Sequence, residues 1–354
     1  MRAVPGASSK SAPTLNEVAR AAGVSRATAS RVFTASPRVS DEARKAVERA
    51  ARRLGYVPNR AARSLVTGRS DSVALVIPEP TTHLFGDPFF PRLVRGITEL
   101  LSAHDLQLVL FAPQSSADEA RLARYLAGGH VDGALLVSLH GDDPLPARLL
   151  ERGLPVVVGG RPPGDTAVSY VDVDNQAGAF SAVRHLLERG RRRIATISGS
   201  LDMSVSQDRL SGYRRALESA GVPWDPALEE SGDFSHEGGI HAMRALLERR
   251  PTLDAVFAAS DLMAAGALLA LREAEREVPQ DVAVIGYEDS AIAATTMPPL
   301  SSVRQPSEEM GREMARLLVG TIGSQRQVAR RVLLATELVV RASTGENAPT
   351  LSSE

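Results

Sequence analysis

The sequence predicts a chain in two parts: an all-α head of short helices, then a large α/β body folded as two doubly wound lobes of parallel sheet. Three observations carry this. Lysine and arginine crowd the first fifth of the chain, capped helical segments follow one another between residues 14 and 67, and from residue 73 onward short apolar strands alternate with amphipathic helices. That alternation indicates parallel sheets with helical crossovers.

At 354 residues the chain exceeds one ordinary core, and at roughly 100–200 residues per domain it should hold two or three units. Hydrophobic residues make up 43% and charged residues 23%, the composition of soluble globular material rather than of a disordered chain. No apolar run approaches the roughly 18 residues of a membrane span, and Met1 to Pro13 lack the apolar stretch of a secretory signal. A cytoplasmic protein without a membrane partner is expected. The absence of cysteine excludes disulfides, thiol catalysis and thiolate metal sites. Metal binding would rest on seven histidines and the carboxylates, and neither a metal nor a cofactor is expected.

The net charge of −1 hides two opposed halves. Residues 1 to 70 contain 14 Lys/Arg and 4 Asp/Glu, which, taken from the totals of 41 and 42, leaves 27 against 38 in the rest. A basic head on an acidic body suits nucleic-acid binding, although basic tails without that role are common.

In the head, Thr14-Leu15-Asn16-Glu17 has the form of a capping box, and Leu15, Val18, Ala19 and Ala22 keep helical spacing after it. Gly23 permits a tight turn, and Ser25 is a good N-cap for a second helix that carries Ala29, Val32 and Phe33. Two helices so close in sequence have the geometry of a helix-turn-helix, whose second helix offers its N-terminal side chains to base edges in the major groove. Arg26, Ala27 and Arg31 are the expected readers: arginine can grip guanine bidentately, and Ala27 can offer only a methyl to thymine. Thr14, Ser25, Thr28, Ser30 and Asn59 are the expected phosphate contacts. A plain helical hairpin with surface arginines would share the two-helix pattern. Ser40 caps a third helix with Ala43, Val47, Ala50 and Leu54 on one face and Gly55 at its end. Asn59 to Thr67 then reads as a short fourth helix, too short to hold alone.

These residues resemble a known headpiece. Thr14-Leu15-Asn16-Glu17-Val18-Ala19-Arg20-Ala21-Ala22-Gly23-Val24-Ser25, then Ala29-Ser30-Arg31-Val32, Leu54-Gly55-Tyr56-Val57-Pro58-Asn59 and Ala62-Arg63-Ser64-Leu65 are similar to the lac-repressor (LacI) family. The resemblance implies hinge helices that pair over the centre of a palindromic double-stranded DNA operator and fold only on DNA. It also implies that Leu65 is a minor-groove wedge, a device in which unstacking a base step is offset by a bend that enlarges the interface. A linker leucine buried under the body is the plainer reading of Leu65.

Strands are expected at Val73 to Ile77, Leu106 to Phe111, Gly133 to Val137, Val156 to Val158, Ile194 to Ile197, Ala255 to Ala258 and Val282 to Ile285, with helices such as Gln207 to Ala220 and Asp261 to Glu277 between them. Ligands in such folds sit beyond the carboxyl ends of the strands. The body also resembles the family, whose effector domain is like a periplasmic binding protein, at Asp87-Pro88-Phe89-Phe90, Val131-Asp132-Gly133, Asp174-Asn175, Arg209-Leu210-Ser211-Gly212-Tyr213, Ser260-Asp261 and Ile285-Gly286-Tyr287-Glu288-Asp289. By that resemblance the chain divides into a tail at 1–13, a headpiece at 14–58, a hinge at 59–70, an effector and dimerisation domain at 71–342, and a polar tail at 343–354. The first lobe would hold 71–160 and 303–328, and the second 161–302 and 329–342.

The resemblance places Phe89, Phe90, Arg161, Arg209, Phe234, Asp261, Glu288 and Asp289 in the effector cleft. Aromatic walls with a few charged hydrogen-bonders suit a polyhydroxylated ring, and the Arg209 fork suits hydroxyls or a carboxylate. Phe89 and Phe90 could equally be core, Arg209 a surface helix residue, and Asp261 an N-cap. Where sugar-binding relatives often place an acid after the fourth strand, this chain has Gly159-Gly160-Arg161, and Met203 and Val205 stand where a purine pocket would want a polar pair. A sugar or sugar derivative is the expected effector.

The expected function is a homodimeric regulator, a repressor, whose effector repositions the lobes and changes operator affinity. A cytoplasmic or exported sugar-binding receptor without a regulatory DNA role is the binding-module alternative, and the missing export signal argues against the exported form. An enzyme using Asp261 and Glu288 as acid and base is the other, but no nucleophile elbow, phosphate loop or H-E-x-x-H spacing is present.

Overall fold

The structure is a computed structural model that describes residues 13–33, 38–57, 68–162, 167–323 and 328–345. The chain separates into two compact units, Met1–Asp71 and Ser72–Glu354. The expected hinge helix at Asn59 to Thr67, Leu65 included, lies outside the described residues, as do the two tails at 1–12 and 346–354.

Three helices build the first unit: α1 (Leu15–Ala22), α2 (Arg26–Phe33) and α3 (Asp41–Leu54). The capping box at the start of α1 is complete, with Thr14 N–H donating to Glu17 Oε2 at 2.7 Å and Glu17 N–H to Thr14 Oγ1 at 3.4 Å. Gly23 ends α1 at φ 68°, a left-handed conformation open to glycine at little cost. Ser25 Oγ accepts from Thr28 N–H at 3.1 Å at the start of α2, and Ser40 Oγ accepts from Ala43 N–H at 3.3 Å at the start of α3. The apolar faces meet in a small core of Val18, Ala19, Ala29, Val32, Val47, Ala50 and Ala51. Phe33 and Tyr56 close its edge, with ring centroids 5.4 Å apart.

The second unit holds two six-stranded sheets. The first contains β1 (Ser72–Val76), β2 (Gln107–Phe111), β3 (Gly133–Val137), β4 (Val156–Gly159), β5 (Ser169–Val173) and β11 (Arg331–Leu334), in the order β11-β5-β4-β3-β1-β2. The second contains β6 (Ile194–Ser198), β7 (Glu229–Ser231), β8 (Ala255–Ala258), β9 (Ala283–Glu288), β10 (Ser301–Arg304) and β12 (Glu337–Val339), in the order β12-β10-β9-β8-β6-β7. Every pairing is parallel except β10 with β12. The central strands β3, β6, β8 and β9 are buried along their whole length, because helices cover both faces of a parallel sheet.

Those helices are α4 (Thr81–Gly86), α5 (Phe89–Ala103), α6 (Ser116–Ala127), α7 (Leu145–Glu151) and α13 (Ser307–Thr321) on the first lobe. On the second they are α8 (Asn175–Glu188), α9 (Ser204–Ser219), α10 (His236–Arg249), α11 (Asp261–Glu273) and α12 (Ala291–Thr295). α5 and α13 cross without side chains between them: a methyl added at Gly96 would strike the backbone carbonyl of Glu308, and one at Gly311 the carbonyl of Leu93.

The expected lobe boundaries need correction. Ser169–Val173 pairs with β4 and Arg331–Leu334 pairs with β5, so both belong to the first lobe rather than the second. Ser301–Arg304 pairs with β9, which keeps residues 303 and 304 in the second. The chain therefore crosses between lobes three times, at Asp174, at Gln305-Pro306 and at Ala335-Thr336. The pattern of apolar runs missed these points because the strands beside them, β5, β10, β11 and β12, are short and mixed in polarity.

Candidate DNA-reading helix and ligand cleft

On α2 the side chains of Ser25, Arg26, Ala27 and Arg31 are exposed, and Thr28 and Ser30 are half-buried. The alternation follows from the helix: Ala29 and Val32 are drawn into the core, which turns the positions before and between them outward. Ser25 and Thr28 bond to each other through their hydroxyls at 2.9 Å, and Thr14 is committed to its capping box. Arg26, Ala27 and Arg31 are exposed and stand outside the hydrophobic cluster of the headpiece. Asn59 lies outside the described residues.

In the second unit a cavity of about 380 Å³ opens where the carboxyl ends of the two sheets face each other, the position expected for a ligand in such folds. Val137, Ser138, Gly159, Gly160 and Asp172 line it from the first lobe; Met203, Arg209, Phe234 and Glu288 line it from the second. Four of these residues take positive φ: Ser138 at 60°, Gly160 at 95°, Phe234 at 63° and Glu288 at 107°. Left-handed backbone at non-glycine residues is costly and clusters where a strand end must re-aim a side chain. Phe234 also needs Gly199, since a methyl there would overlap its ring.

Of the eight expected effector residues, the structure brings Phe89, Phe90, Arg161, Arg209, Phe234 and Glu288 to the cavity. Phe90 lines it while 3% exposed and packed in the first-lobe core, edge-on to Phe89 at 5.3 Å, so it is core as well as cavity wall. Asp261 and Asp289 are corrections. Asp261 is fully buried and accepts from Ser302 Oγ at 2.6 Å and Ser290 N–H at 2.7 Å. Asp289 accepts from Arg304 Nε at 2.8 Å and Arg341 Nη2 at 2.7 Å. Neither lines the cavity.

Arg209 is not the surface residue or the open fork that the sequence allows. It is 3% exposed. Its Nε donates to Asn175 Oδ1 at 2.9 Å, Nη1 to the Ala259 carbonyl at 2.5 Å and Nη2 to Gln305 Oε1 at 2.8 Å. Its guanidinium lies 3.7 Å from the centroid of the buried Tyr287 ring. Asn175 and Gln305 sit at two of the three lobe crossings, so Arg209 ties both crossings to the second lobe. Asn175 Nδ2 in turn donates to Asp172 Oδ1 at 3.0 Å. Burial raises Asp172 to about 6, against the bonds from Val173 and Arg161 N–H groups.

Sequence reasoning missed a chain of acids and imidazoles that reaches the cavity lining at His83, Asp87 and Asp202. His83 bonds Glu79 through Nδ1 at 3.0 Å and Asp87 through Nε2 at 3.3 Å. His140 bonds Glu79 through Nε2 at 3.1 Å and, across the lobes, Asp202 through Nδ1 at 2.8 Å. The Gly141 N–H donates to the Asp202 carbonyl at 3.0 Å beside it. The bond to Glu79 outweighs burial and, with Asp202, holds His140 at about 9. Burial would depress His83, but Asp87 and Glu79 bring it to about 9. Burial would raise Glu79, but His140, His83 and Ser138 hold it at about 2. The spacing of Glu79, His83 and Asp87, four residues apart each time, was the available signal.

A capped helix-turn-helix in one chain with a two-lobed cleft defines a DNA-binding regulator with a sensor domain. Comparison with known proteins agrees. Residues 14–59 match the family described as bacterial regulatory proteins, lacI family, and residues 183–344 match the periplasmic binding protein-like domain. The chain is 53% identical over 333 residues to the HTH-type transcriptional regulator CelR of Thermobifida fusca, covering 94% of this chain and 98% of that one. It is 35% identical over 335 residues to the ribose operon repressor of Escherichia coli (strain K12), covering 93% and 99%. A solved transcriptional regulator CelR-cellobiose complex superposes with a TM-score of 0.76 at 51% identity, covering 94% and 99%. The lac repressor dimer bound to operator and the anti-inducer ONPF gives a TM-score of 0.82 at 24% identity, which speaks to the fold. This chain belongs to the LacI family of DNA-binding transcriptional regulators. Among the described residues no helix is long and apolar enough to cross a membrane.

Proposed function

We propose that this protein is a cytoplasmic homodimeric repressor that binds a palindromic operator and releases or tightens its grip when a sugar occupies the cleft. The carrying observation is the cavity of about 380 Å³ between the two lobes, within the range of small-molecule sites and large enough for more than one sugar ring. Phe89 and Phe234 supply apolar faces, and Asp172, Asn175, Gln305 and Glu288 supply polar groups around it, the mixture that a polyhydroxylated ring asks for. A relative 51% identical in sequence was solved with cellobiose, which supports a disaccharide as the effector here. The relatives are regulators, in keeping with a sensor cleft rather than a catalytic one.

In this reading Arg26, Ala27 and Arg31 read bases, Thr14, Ser25, Thr28, Ser30 and Asn59 bind phosphates, and Leu65 opens the central step of the operator. Phe89, Phe90, Arg161, Phe234 and Glu288 contact the sugar, and Arg209 holds the crossings that move when it binds. A thermal-shift screen of cellobiose, ribose and lactose tests the sensor half. A true effector at 100 times its dissociation constant stabilises the folded state by about 2.7 kcal/mol, and the expected result is a rise in melting temperature with cellobiose. No shift with any sugar, up to millimolar concentration, contradicts the reading.

A further inference from the structure

Glu288 closes β9 and is buried to 5% exposure on the wall of the cavity. Its Oε2 has no hydrogen-bond partner among the described residues. That is unusual for a buried carboxyl oxygen, since desolvation without a partner is costly. The backbone holds it there at φ 107°, and Asp289 follows at 48°. Arg92 Nη1 donates to the Glu288 and Asp289 carbonyls at 3.5 and 3.2 Å, and Gln305 N–H to the Glu288 carbonyl at 3.3 Å. The main chain is pinned from both lobes, and the side chain stands on the cavity wall with Oε2 buried and unpartnered among the described residues.

The charged groups around the tip come from four directions. Asp87, before α5, and Asp261, on α11, are acids that oppose a second negative charge; Arg209, on α9, and Arg92, on α5, favour one. Both arginines are spent elsewhere: Arg209 on Asn175, Ala259 and Gln305, and Arg92 on backbone carbonyls. Burial outweighs the rest, followed by the charges of Asp87 and Asp261, and drives the carboxyl well above its ordinary range. The other cations of the wall are engaged as well. His83 bonds Glu79 and Asp87, and Arg161 Nη2 donates to Asp208 at 2.7 Å.

We propose that Glu288 stands in the cleft as an un-ionised carboxylic acid whose O–H is reserved for the ligand, which makes the site select an uncharged molecule that offers an oxygen lone pair. The inference rests on the sensor reading above and narrows it. A neutral buried acid is a donor that costs no charge burial, and no acceptor among the described residues competes for its Oε2. A hydroxyl or ring oxygen of an unmodified sugar satisfies it. A phosphorylated sugar brings an anion to a wall of acids whose cations are already paired, and an amine would ionise Glu288 and take the opposite role.

Two measurements on the full chain test this. In protein labelled with ¹³C at glutamate carboxyl carbons, the Glu288 signal, assigned by its loss in Glu288→Gln, should stay at the protonated-acid position at pH 7 without any ligand; a carboxylate position there overturns the proposal. Calorimetry with cellobiose as probe gives the second. Affinity should fall with rising pH once the acid ionises, approaching about tenfold per pH unit, and Glu288→Gln, which keeps a donor and cannot titrate, should be flat over the same range. Glu288→Ala should bind more than tenfold weaker at pH 7, and a 6-phosphorylated cellobiose more than tenfold weaker than cellobiose. Affinity that rises with pH, or a Gln variant that retains the wild-type pH dependence, contradicts the donor role. If cellobiose fails to bind at all, the sugar reading fails while the carbon signal still decides the state of the acid.

Discussion

Arg209 shows what a residue's identity leaves open until its neighbours are known. In sequence it is an arginine near the start of a helix; in the structure three of its N–H groups join Asn175, Ala259 and Gln305, and its face lies on Tyr287. Replacing it with alanine strands buried acceptors at two lobe crossings. We expect a loss of about 2–4 kcal/mol, read as a fall in urea midpoint. Arg209→Lys should recover little of it, because an ammonium cannot span three acceptors set for a planar fork. On α2, Arg26→Ala should shift preference at one base pair per half-site by about 1–3 kcal/mol. A uniform loss over all sequences, measured by competition gel shift, would assign Arg26 to phosphate instead. Phe89 and Glu288 were legible because each lies in a motif shared with the family, Phe89 at the start of α5 and Glu288 at the end of β9, whereas Phe234 lies in none of those motifs and was placed by the resemblance as a whole. The junction of Glu79 and His83 with His140 and Asp202 was not legible, since His140 and Asp202 come from separate loops and only the fold brings them to Glu79.

At the scale of elements, the bond between His140 and Asp202 joins the loop after β3 to the loop after β6 and so links the lobes. Folding raises both imidazoles from 6.5 to about 9, so what they add to stability is complete below 6.5 and is lost as the pH climbs through about 9. Glu79 is lowered from 4.5 to about 2, so its share is complete above 4.5 and is lost as the pH falls through about 2. The melting temperature should therefore fall as the pH rises from about 6.5 to about 9, and His140→Gln should flatten that alkaline limb while lowering the plateau. An unchanged alkaline limb in the variant would count against the link. The crossing of α5 and α13 is a second element-level device, made by two glycines facing carbonyls. Gly96→Ala should cost about 1–3 kcal/mol through overpacking, seen as a lower melting temperature of the body. Helices and central strands were legible here because caps and unbroken apolar runs are local signals. β5, β7, β10, β11 and β12 were not, being three to five residues long and mixed in polarity, with pairing decided by distant partners.

Over the whole molecule, the three crossings between lobes are where a ligand that draws the lobes together must act, and Arg209, Asn175, Asp172 and Gln305 connect two of them directly to the cavity wall. Leu65 lies outside the described residues, and its role as a wedge is a proposal about the DNA-bound state. Leu65→Ala should weaken operator binding far more than binding to random duplex; equal losses would place it in packing instead. The central claim is that one chain couples a sugar in the cleft to a DNA sequence at the headpiece. Fluorescence anisotropy of the full-length protein on a palindrome selected from randomised DNA, with random duplex as control and with and without saturating cellobiose, tests it most directly. The account predicts a preference for the selected site of at least about 1,000-fold, a steep fall in affinity with salt, and a change of about fivefold or more on adding the sugar. Equal binding to both duplexes, or a site-specific affinity that cellobiose leaves untouched although it binds the cleft, would contradict it.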